Sequence, residues 1–240
     1  MERNGQGPLR TPLRCGLWVC FLSPYGLEIA LESHIDWVGL DLQHGDIGSA
    51  DIPGLLRVTE RVGVPAFVRV ASHDPQQIAY AIDSGADGVI VPSVESAEQA
   101  ADLAKAALIP PRGSRSTGAG RRHAIRGNRI EPALLLPMVE TASGFLNADD
   151  ILAVDGVDGV FVGPYDLTLS MGFPNPSSSE TLDAVSQVLR IAARHGKVGG
   201  FMAGTPELEG LGQHGDLVAV STDISALMRG MAGIGAADHG

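Results

Sequence analysis

Four polar side chains directly follow short apolar runs of this 240-residue sequence, at positions where chemistry could take place. His44 can exchange a proton near neutral pH, and Arg69 can grip a carboxylate through two parallel hydrogen bonds. Glu140 and Asp166 can supply oxygen ligands to a divalent cation such as Mg²⁺ or Mn²⁺. If the fold brings these groups to one place, they indicate an enzyme site for an anionic substrate.

Each of these residues also has a simpler structural explanation. Glu140 could cap the helix that follows it, and Asp166 could begin another helix, because acids are common at helix N-termini. His44 could be a loop residue held by Asp41 or Asp46, and Arg69 could form an ion pair with a protein acid such as Asp41. The residues alone leave both sets of explanations open.

The elements that must position these groups form an alternating pattern. Several apolar runs lack polar alternation, which is typical of parallel strands buried on both faces. Eight runs have strand character: Cys15–Leu22, Asp36–Leu42, Pro65–Val70, Gly88–Pro92, Ala133–Val139, Gly159–Gly163, Val198–Met202 and Leu217–Val220. The pattern predicts an α/β fold, a single (β/α)8 TIM barrel over residues 1–240, with an open doubly wound sheet as the second choice.

Helical patterns lie between most of the predicted strands. They cover Pro75–Ser84, Ala97–Ala107, Glu180–His195 and Ile224–Met231. Two helix-to-strand connectors, 85–89 and 156–160, look like copies of each other, with one glycine where the helix ends and another where the strand begins. In such a barrel the carboxyl ends of the strands meet at one mouth, so the four polar residues should converge there.

Composition restricts the possible partners and the compartment. The net charge of −11 and the pI of about 4.9 argue against nucleic acid as the main partner. Aromatic residues make up only 5%, so Val, Leu, Ile and Ala should fill most of the core. Cys15 and Cys20 are expected to remain unpaired, which indicates a reducing, cytoplasmic setting. The apolar run 15–22 is too short to span a membrane, and we do not expect the protein to bind a membrane.

One segment, Pro110–Asn128, is rich in glycine and arginine and contains no acid. It could be a long solvated loop. It could equally attract anionic substrates or dock on a neighbouring subunit, because loops of this length inside compact domains are usually functional or disordered.

Several stretches resemble those of one enzyme family. The run 36–45 resembles the second-strand motif of the HpcH/HpaI class II aldolases, and 65–69, 81–92 and 110–113 are similar to further family motifs. The most specific stretches are 137–141 and 157–167, and the end, 217–223, also fits. The likeness runs in order from about Gly16 to Arg229 and covers nearly the whole chain.

The resemblance implies a phosphoenolpyruvate/pyruvate-type barrel that reversibly cleaves 4-hydroxy-2-oxo acids to pyruvate, or a related 2-oxo acid, and an aldehyde. It implies Glu140 and Asp166 as ligands of Mg²⁺, Mn²⁺ or Co²⁺, and His44 as the acid/base residue. It implies Arg69 as the group that stabilises the oxo acid and its enolate, and Asp83 as the residue that raises the basicity of His44.

The resemblance also implies a substrate-binding role for the backbone around Tyr165, which includes Gly163, Pro164 and Asp166. The sequence departs from many family members at three positions, where Gln43, Met138 and Tyr165 stand in place of Glu, Gln and Ala. Met138 occupies the position of a substrate-binding glutamine. These departures leave the presumed metal pair intact and could change which aldehyde fits.

Asp83 lies near the end of a helix, on the face of a barrel opposite the mouth, so its own His44 should be out of reach. A role for Asp83 therefore requires a subunit contact. We expect a homo-oligomer, and the resemblance implies a hexamer built as a trimer of dimers.

Two other functions compete with the aldolase. A citrate-lyase-like barrel would join or cleave acyl-CoA thioesters, and the arginine-rich segment could bind CoA phosphates. A barrel without catalytic activity is a third possibility, against which the joint presence of His44, Arg69, Glu140 and Asp166 speaks. A Schiff-base aldolase would need a lysine at a strand end, and neither Lys105 nor Lys197 is placed there.

Overall fold

The eight predicted strands form a closed parallel barrel in strand order 1 to 8. The computed structural model describes residues 12–118, 120–126 and 132–237. The strands are β1 Leu13–Val19, β2 Trp37–Asp41, β3 Ala66–Arg69, β4 Gly88–Val91, β5 Leu134–Val139, β6 Gly159–Val162, β7 Val198–Met202 and β8 Leu217–Thr222. The predicted (β/α)8 barrel is confirmed, and β1 begins and ends earlier than the apolar run suggested.

Helices follow the strands and cover the outside of the barrel. They are α1 Pro24–Ala30, α2 Ile52–Val62, α3 Pro75–Ser84, α4 Ala97–Ala107, α5 Arg121–Arg126, α6 Ala142–Leu146, α7 Ala148–Ala153, α8 Pro164–Met171, α9 Ser179–Arg194, α10 Pro206–Glu209 and α11 Asp223–Ala237. The predicted bounds of α3 and α4 are confirmed. No helix of the described residues is long and apolar enough to cross a membrane.

Two packing layers fill the barrel with different residue types. Aliphatic side chains between strands and helices form the outer layer, as the composition predicted. The interior instead holds Trp18, Trp37, Phe67 and Phe161, with Trp18 and Phe161 stacked at 5.2 Å between ring centroids. A Cβ on Gly16 would lie 2.2 Å from the Trp37 ring, so this strand position needs glycine. Both tryptophans and two of the six phenylalanines therefore lie inside the barrel.

An aspartate recurs at the amino-terminal end of the barrel and joins neighbouring strands there. Asp36, Asp87, Asp158 and Asp216 each precede an even-numbered strand, and each carboxylate accepts a backbone N–H from the strand before it. Two of them belong to the connectors whose similarity the sequence shows, and the first glycines of those connectors have φ values of 113° and 92°. The connector motif thus ends a helix and joins adjacent strands.

The arginine-rich segment, as far as it is described, lies at the same end of the barrel. Arg115 donates to Asp83 at 2.6 Å, and Arg121 forms an ion pair with Glu60. Arg122 donates to the carbonyl of Ala86. These guanidinium groups bind acceptors of their own chain, so the segment acts as a strap across the helix ends. The remainder of the segment at 119, 127 and 128 lies outside the described residues.

Both cysteines are free thiols, as predicted. Cys15 is half-buried within β1, whereas Cys20 follows the end of β1 and is buried. Burial, together with the nearby charges of Asp223 and Asp41, raises the pKa of the Cys20 thiol to about 12. Cys20 therefore stays protonated and is a poor nucleophile.

Candidate active site

A cavity of about 400 Å³ opens at the carboxyl ends of the strands. Most of the predicted site residues line it, in particular His44, Arg69, Met138, Tyr165 and Asp166. Arg69 and Met138 belong to β3 and β5, His44 lies in the loop after β2, and Tyr165 and Asp166 lie in the first turn of α8, which follows β6. The expected convergence of strand ends at one mouth is therefore observed.

A buried ion pair joins the ends of β2 and β3. The Nε and Nη2 atoms of Arg69 donate to the two carboxylate oxygens of Asp41 at 2.9 and 2.5 Å. Burial raises the pKa of Asp41, but the hydrogen bonds and charge of Arg69 outweigh it and hold that pKa below its usual range. The alternative that Arg69 pairs with Asp41 is thus correct. Nη1 has no acceptor among the described residues, so Arg69 keeps donors for a ligand in the cavity.

The same aspartate shapes the loop that carries His44. Asp41 Oδ1 accepts the backbone N–H groups of Gln43 and His44 at 2.9 and 3.2 Å. A Cβ on Gly45 would lie 2.4 Å from the carbonyl oxygen of Cys20, so the turn needs glycine there. Asp41 holds the backbone of His44, while the exposed imidazole faces the cavity with no hydrogen-bond partner in the described part of the chain.

Glu140 is a buried carboxylate at the end of β5, with 4% of its surface exposed. Its Oε1 atom accepts both the backbone N–H and the hydroxyl of Ser93, each at 2.8 Å. Burial raises the pKa of Glu140; the Ser93 hydrogen bonds oppose the shift and the charge of Asp166 adds to it. Glu140 does not cap α6, because Thr141 is the N-cap residue and its hydroxyl accepts from Gly144 N.

Asp166 lies in the first turn of α8, where a negative charge is favourable. The N-cap residue of that helix is Gly163, which forms no side-chain cap, and Asp166 itself is exposed at the mouth. A Cβ on Gly163 would lie 2.8 Å from Glu140 Oε2. The missing side chain at Gly163 lets the Glu140 carboxylate lie against the start of α8, close to Asp166.

These two acids fit the donor set of a divalent cation. Glu140 Oε1 is occupied by Ser93, whereas Oε2 has no donor from the described residues. Two neighbouring carboxylates without a cationic partner of their own repel each other, and a cation between them removes that cost. No group of three or more His, Cys, Asp or Glu suited to a metal occurs in the described part, so water and substrate would complete the coordination.

Of the three positions where the chain departs from many family members, Met138 and Tyr165 line this cavity. Met138 is buried in its wall, and its Cε atom lies 2.7 Å from the place of a Gly163 Cβ. Tyr165 reaches over the end of β7, where a Cβ on Gly204 would lie 2.2 Å from its hydroxyl oxygen. Gln43 follows Asp41, and its side-chain oxygen is buried without a hydrogen-bond partner in the described residues.

Asp83 does not line the cavity. It lies in the last turn of α3, beside the start of β4, and its carboxylate accepts from Arg115. The expectation that Asp83 lies away from the mouth of its own barrel is confirmed. The sequence did not reveal its pairing with the arginine-rich strap.

Two further carboxylate contacts were missed by sequence reasoning. Ser93, which orients Glu140, has a left-handed backbone with φ 51° at the end of β4. Asp223, at the end of β8, accepts backbone N–H groups from Cys20, Phe21 and Leu22 and so joins the first loop to the last strand. The signal was available, since polar residues follow these two strand ends as well.

The family described as HpcH/HpaI aldolase/citrate lyase matches residues 14–228. A 2-keto-3-deoxy-L-rhamnonate aldolase of Klebsiella pneumoniae is 34% identical over 229 residues, which are 91% of this chain and 86% of the relative. A hydroxypyruvate/pyruvate aldolase of Pseudomonas aeruginosa is 34% identical over 227 residues, which are 90% of this chain and 85% of the relative.

Solved structures give the same picture. A HpcH/HpaI aldolase/citrate lyase family protein from Burkholderia cenocepacia J2315 superposes with a TM-score of 0.85 at 27% identity. The superposition covers 96% of this chain and 95% of that protein. The likeness therefore extends over nearly the whole chain.

Proposed function

The chain belongs to the HpcH/HpaI aldolase/citrate lyase family, and we propose that it is a divalent-metal-dependent class II aldolase. It is a carbon–carbon lyase that reversibly cleaves a 4-hydroxy-2-oxo acid to pyruvate, or a related 2-oxo acid, and an aldehyde. The observation that carries this proposal is the shared cavity of Arg69, His44 and Asp166, with the buried carboxylate of Glu140 beside it. The aldolase names of two relatives that are 34% identical support it.

Glu140 and Asp166 are the residues that would hold the cation, which we propose to be Mg²⁺, Mn²⁺ or Co²⁺. When bound, such an ion supplies a Lewis acid that polarises the 2-oxo group of the substrate. Ser93 keeps one oxygen of Glu140 engaged and leaves the other directed at the start of α8. Around that point, the backbone of Gly163 and Pro164 and the flanking side chains of Met138 and Tyr165 would surround the oxo-acid end of the substrate.

Arg69 would bind the substrate carboxylate and the negative charge that develops on the oxo-acid oxygen. Its side chain is already fixed by Asp41 and by the Trp18 ring, whose centroid lies 5.2 Å from the guanidinium carbon. A donor that needs no reorientation during the reaction stabilises developing charge effectively. Asp41 is thus a positioning residue for Arg69.

His44 would accept the proton of the 4-hydroxyl group as the bond between C3 and C4 breaks, and return it in the reverse direction. His44→Ala should lower kcat far more than it raises KM, because the base acts in the transition state. Arg69→Lys should damage both parameters and is preferable to removal of the charge, which would leave Asp41 buried and unpaired. A near-normal kcat/KM in either variant would place that residue outside the chemistry.

Assembly of several copies is part of the proposal. If Asp83 raises the basicity of His44, it must do so across a subunit contact, and we propose a hexamer built as a trimer of dimers. The last helix supports association, because Leu227, Met228, Met231 and Ile234 of α11 are each more than half exposed. Apolar side chains grouped in this way mark interaction surfaces. Light scattering that detects only active monomers would remove both the contact and the role of Asp83.

A cytoplasmic location is proposed on the free thiols of Cys15 and Cys20. Unpaired thiols persist in reducing compartments, where disulfides rarely form. Small-molecule partners are expected, namely a 2-oxo acid and an aldehyde. A chain with a net charge of −11 is not suited to nucleic acid.

The acyl-CoA alternative is weakened by the arginine-rich strap. The described guanidinium groups of Arg115 and Arg121 are paired with Asp83 and Glu60, at the end of the barrel away from the mouth. They are not available there to bind CoA phosphates beside the cavity. Release of pyruvate from a panel of 4-hydroxy-2-oxo acids, measured without CoA, tests the proposed function. Turnover that requires CoA with every substrate would contradict it.

A further inference from the structure

Ser93, the residue that orients Glu140, has an unfavourable backbone conformation. Its φ of 51° makes it the one non-glycine residue with a positive φ in the part of the chain that the structure describes. Such a conformation persists only where the surrounding structure holds it. Here it lets the backbone N–H and the hydroxyl of Ser93 both reach Glu140 Oε1. Because Ser93 is exposed at the end of β4, water competes for these contacts, and other groups must hold the backbone in place.

His73 holds the peptide group that precedes Ser93. Its Nε2 atom lies 2.7 Å from the carbonyl oxygen of Pro92. A carbonyl oxygen can only accept, so Nε2 carries the hydrogen and donates it. The Pro92 carbonyl and the Ser93 N–H are the two ends of one planar peptide group. The hydrogen bond from His73 therefore fixes the direction of the N–H that binds Glu140, and it strengthens that donor by polarising the peptide group.

The loop that carries His73 is itself held in place. It joins β3 to α3 and begins directly after the last residue of β3. The side-chain oxygen of Gln77 accepts the backbone N–H of Ala71 at 3.1 Å. Asp74 is the N-cap residue of α3, and its carboxylate accepts from Gln76 N at 2.9 Å. The half-buried imidazole of His73 thus extends from a fixed loop to the end of the neighbouring strand.

The residues that follow Ser93 are held by different groups. The backbone N–H of Val94 donates to the carbonyl of Met138 at 3.1 Å. The side-chain amide of Asn147 donates to the carbonyl of Glu95 at 2.7 Å. Neither contact acts on the peptide group before Ser93. Among the described side chains, the one that bonds to the carbonyl of that group is His73.

We propose that His73 is a positioning residue of the cation site, and that it favours Mg²⁺ over Ca²⁺ by keeping one oxygen of Glu140 occupied. The inference rests on the proposed metal-dependent function and deepens it. Two donors of Ser93 use both acceptor positions of Oε1, so Glu140 offers a cation its Oε2 atom. Ligation through one oxygen suits the small octahedral Mg²⁺, whereas the larger Ca²⁺ often takes both oxygens of a carboxylate.

Calorimetric titration of the whole chain with Mg²⁺ and with Ca²⁺ tests this role. The measured quantity is the dissociation constant for Ca²⁺ divided by that for Mg²⁺, which should exceed one in the unaltered protein. His73→Leu removes the donor and should lower this ratio about tenfold, as expected when a group that orients a metal ligand is lost. His73→Gln keeps an N–H donor of similar reach and should recover most of the ratio.

The matched control is His195→Leu. His195 is also half-buried, and its Nε2 atom makes a hydrogen bond of 2.7 Å with Asp149, but it follows α9 at the other end of the barrel. Its replacement should leave the ratio unaltered. His73→Ala provides the same comparison if circular dichroism shows that His73→Leu does not fold.

An unaltered ratio in the His73 variants, or binding of both ions weakened by the same factor, would overturn the inference, because a purely structural loss acts on both ions alike. An unaltered protein that binds neither ion would also overturn it. Pyruvate release is measured separately. A protein that shows the expected ratios but cleaves no 4-hydroxy-2-oxo acid would contradict the aldolase function and still support the role of His73.

Discussion

The two ends of the barrel differ in how far their charged side chains are paired within the chain. At the amino-terminal end, carboxylates of the connectors accept backbone N–H groups, and the arginines of the strap bind acids or carbonyls of the same chain. At the mouth, Glu140 and Asp166 lie near each other, and no Lys or Arg of the described residues forms an ion pair with either of them; Arg229 likewise has no acid among the described residues. These charges of the amino-terminal end have partners within the chain, whereas Glu140, Asp166 and Arg229 at the mouth have no ion-pair partner among the described residues.

This difference separates charges that stabilise the fold from charges that are suited to bind a ligand. A buried donor or acceptor without its partner costs about 1–3 kcal/mol, so partners at the amino-terminal end contribute to stability. A missing partner at the mouth can be supplied by a cation or substrate. Substitutions at the mouth should therefore affect function, and substitutions at the other end should affect stability.

The largest effect is expected from the carboxylate pair. Glu140→Gln and Asp166→Asn should each lower kcat/KM at least about 1000-fold, because an ion that stabilises transition-state charge is worth several kcal/mol. The free energy of unfolding, measured by urea titration without metal, should stay constant or rise, because one of two repelling charges is removed. Clear destabilisation with retained activity would assign these acids to the fold.

The next largest effect is expected at the opposite end. Asp158→Ala removes the acceptor of the Leu135 backbone N–H at a buried position and should lower the free energy of unfolding by about 2–3 kcal/mol. The kinetic constants of the folded protein should remain within about twofold. Asp155→Ala is the control, because its ion pair with Arg112 is exposed and worth less than about 1 kcal/mol. Equal losses in the two variants would contradict the comparison.

Acid should reveal the buried ion pair of Asp41 and Arg69 at the mouth. The pKa of Asp41 lies below its usual range in the folded state, so its contribution to stability is present above that range. The contribution is lost as the pH falls through the lowered pKa. Urea unfolding between about pH 6 and pH 2 should show a loss of stability that Asp41→Asn reduces. An Asn variant with the pH dependence of the unaltered protein would contradict the pairing.

The smallest effect is expected from Ser93, which touches the site only through Glu140. Ser93→Ala removes one of two hydrogen bonds to Oε1 and should weaken Mn²⁺ binding about tenfold, as other groups that orient metal ligands do. Ser93→Thr keeps the hydroxyl and is the matched variant, although its branched side chain fits a positive φ less well. Calorimetry measures both. Unchanged affinity in Ser93→Ala would remove this positioning role.

The fold was predictable because its signals are local. Each strand is a short apolar run, and the predicted bounds of α3 and α4 agree with the structure. The position of Asp83 at the closed end followed from its place before the glycine that ends α3. The ends of β1 differed because Cys20 and Phe21 are apolar but bend into the loop that Asp223 holds.

The site was predictable only in part because pairings between distant residues leave no local signal. The strand-end rule placed His44, Arg69 and Asp166 around one cavity and Glu140 beside it. The sequence identified Asp41 as one possible partner of Arg69, but it left open whether Arg69 pairs with Asp41 or with a substrate carboxylate. The strap contacts of Arg115 and the orientation of Arg229 depend on segments that are far apart in sequence and meet only in the folded barrel.

The central claim is that the carboxylates of Glu140 and Asp166 at the mouth bind a divalent cation that is required for carbon–carbon cleavage. The most direct test measures pyruvate release from a 4-hydroxy-2-oxo acid after chelation with EDTA, and again after addition of Mg²⁺, Mn²⁺ or Co²⁺. We predict that chelation abolishes release, that at least one of these ions restores it, and that Glu140→Gln and Asp166→Asn are not restored. Full activity in metal-free buffer, or borohydride trapping of pyruvate on a lysine, would contradict the claim.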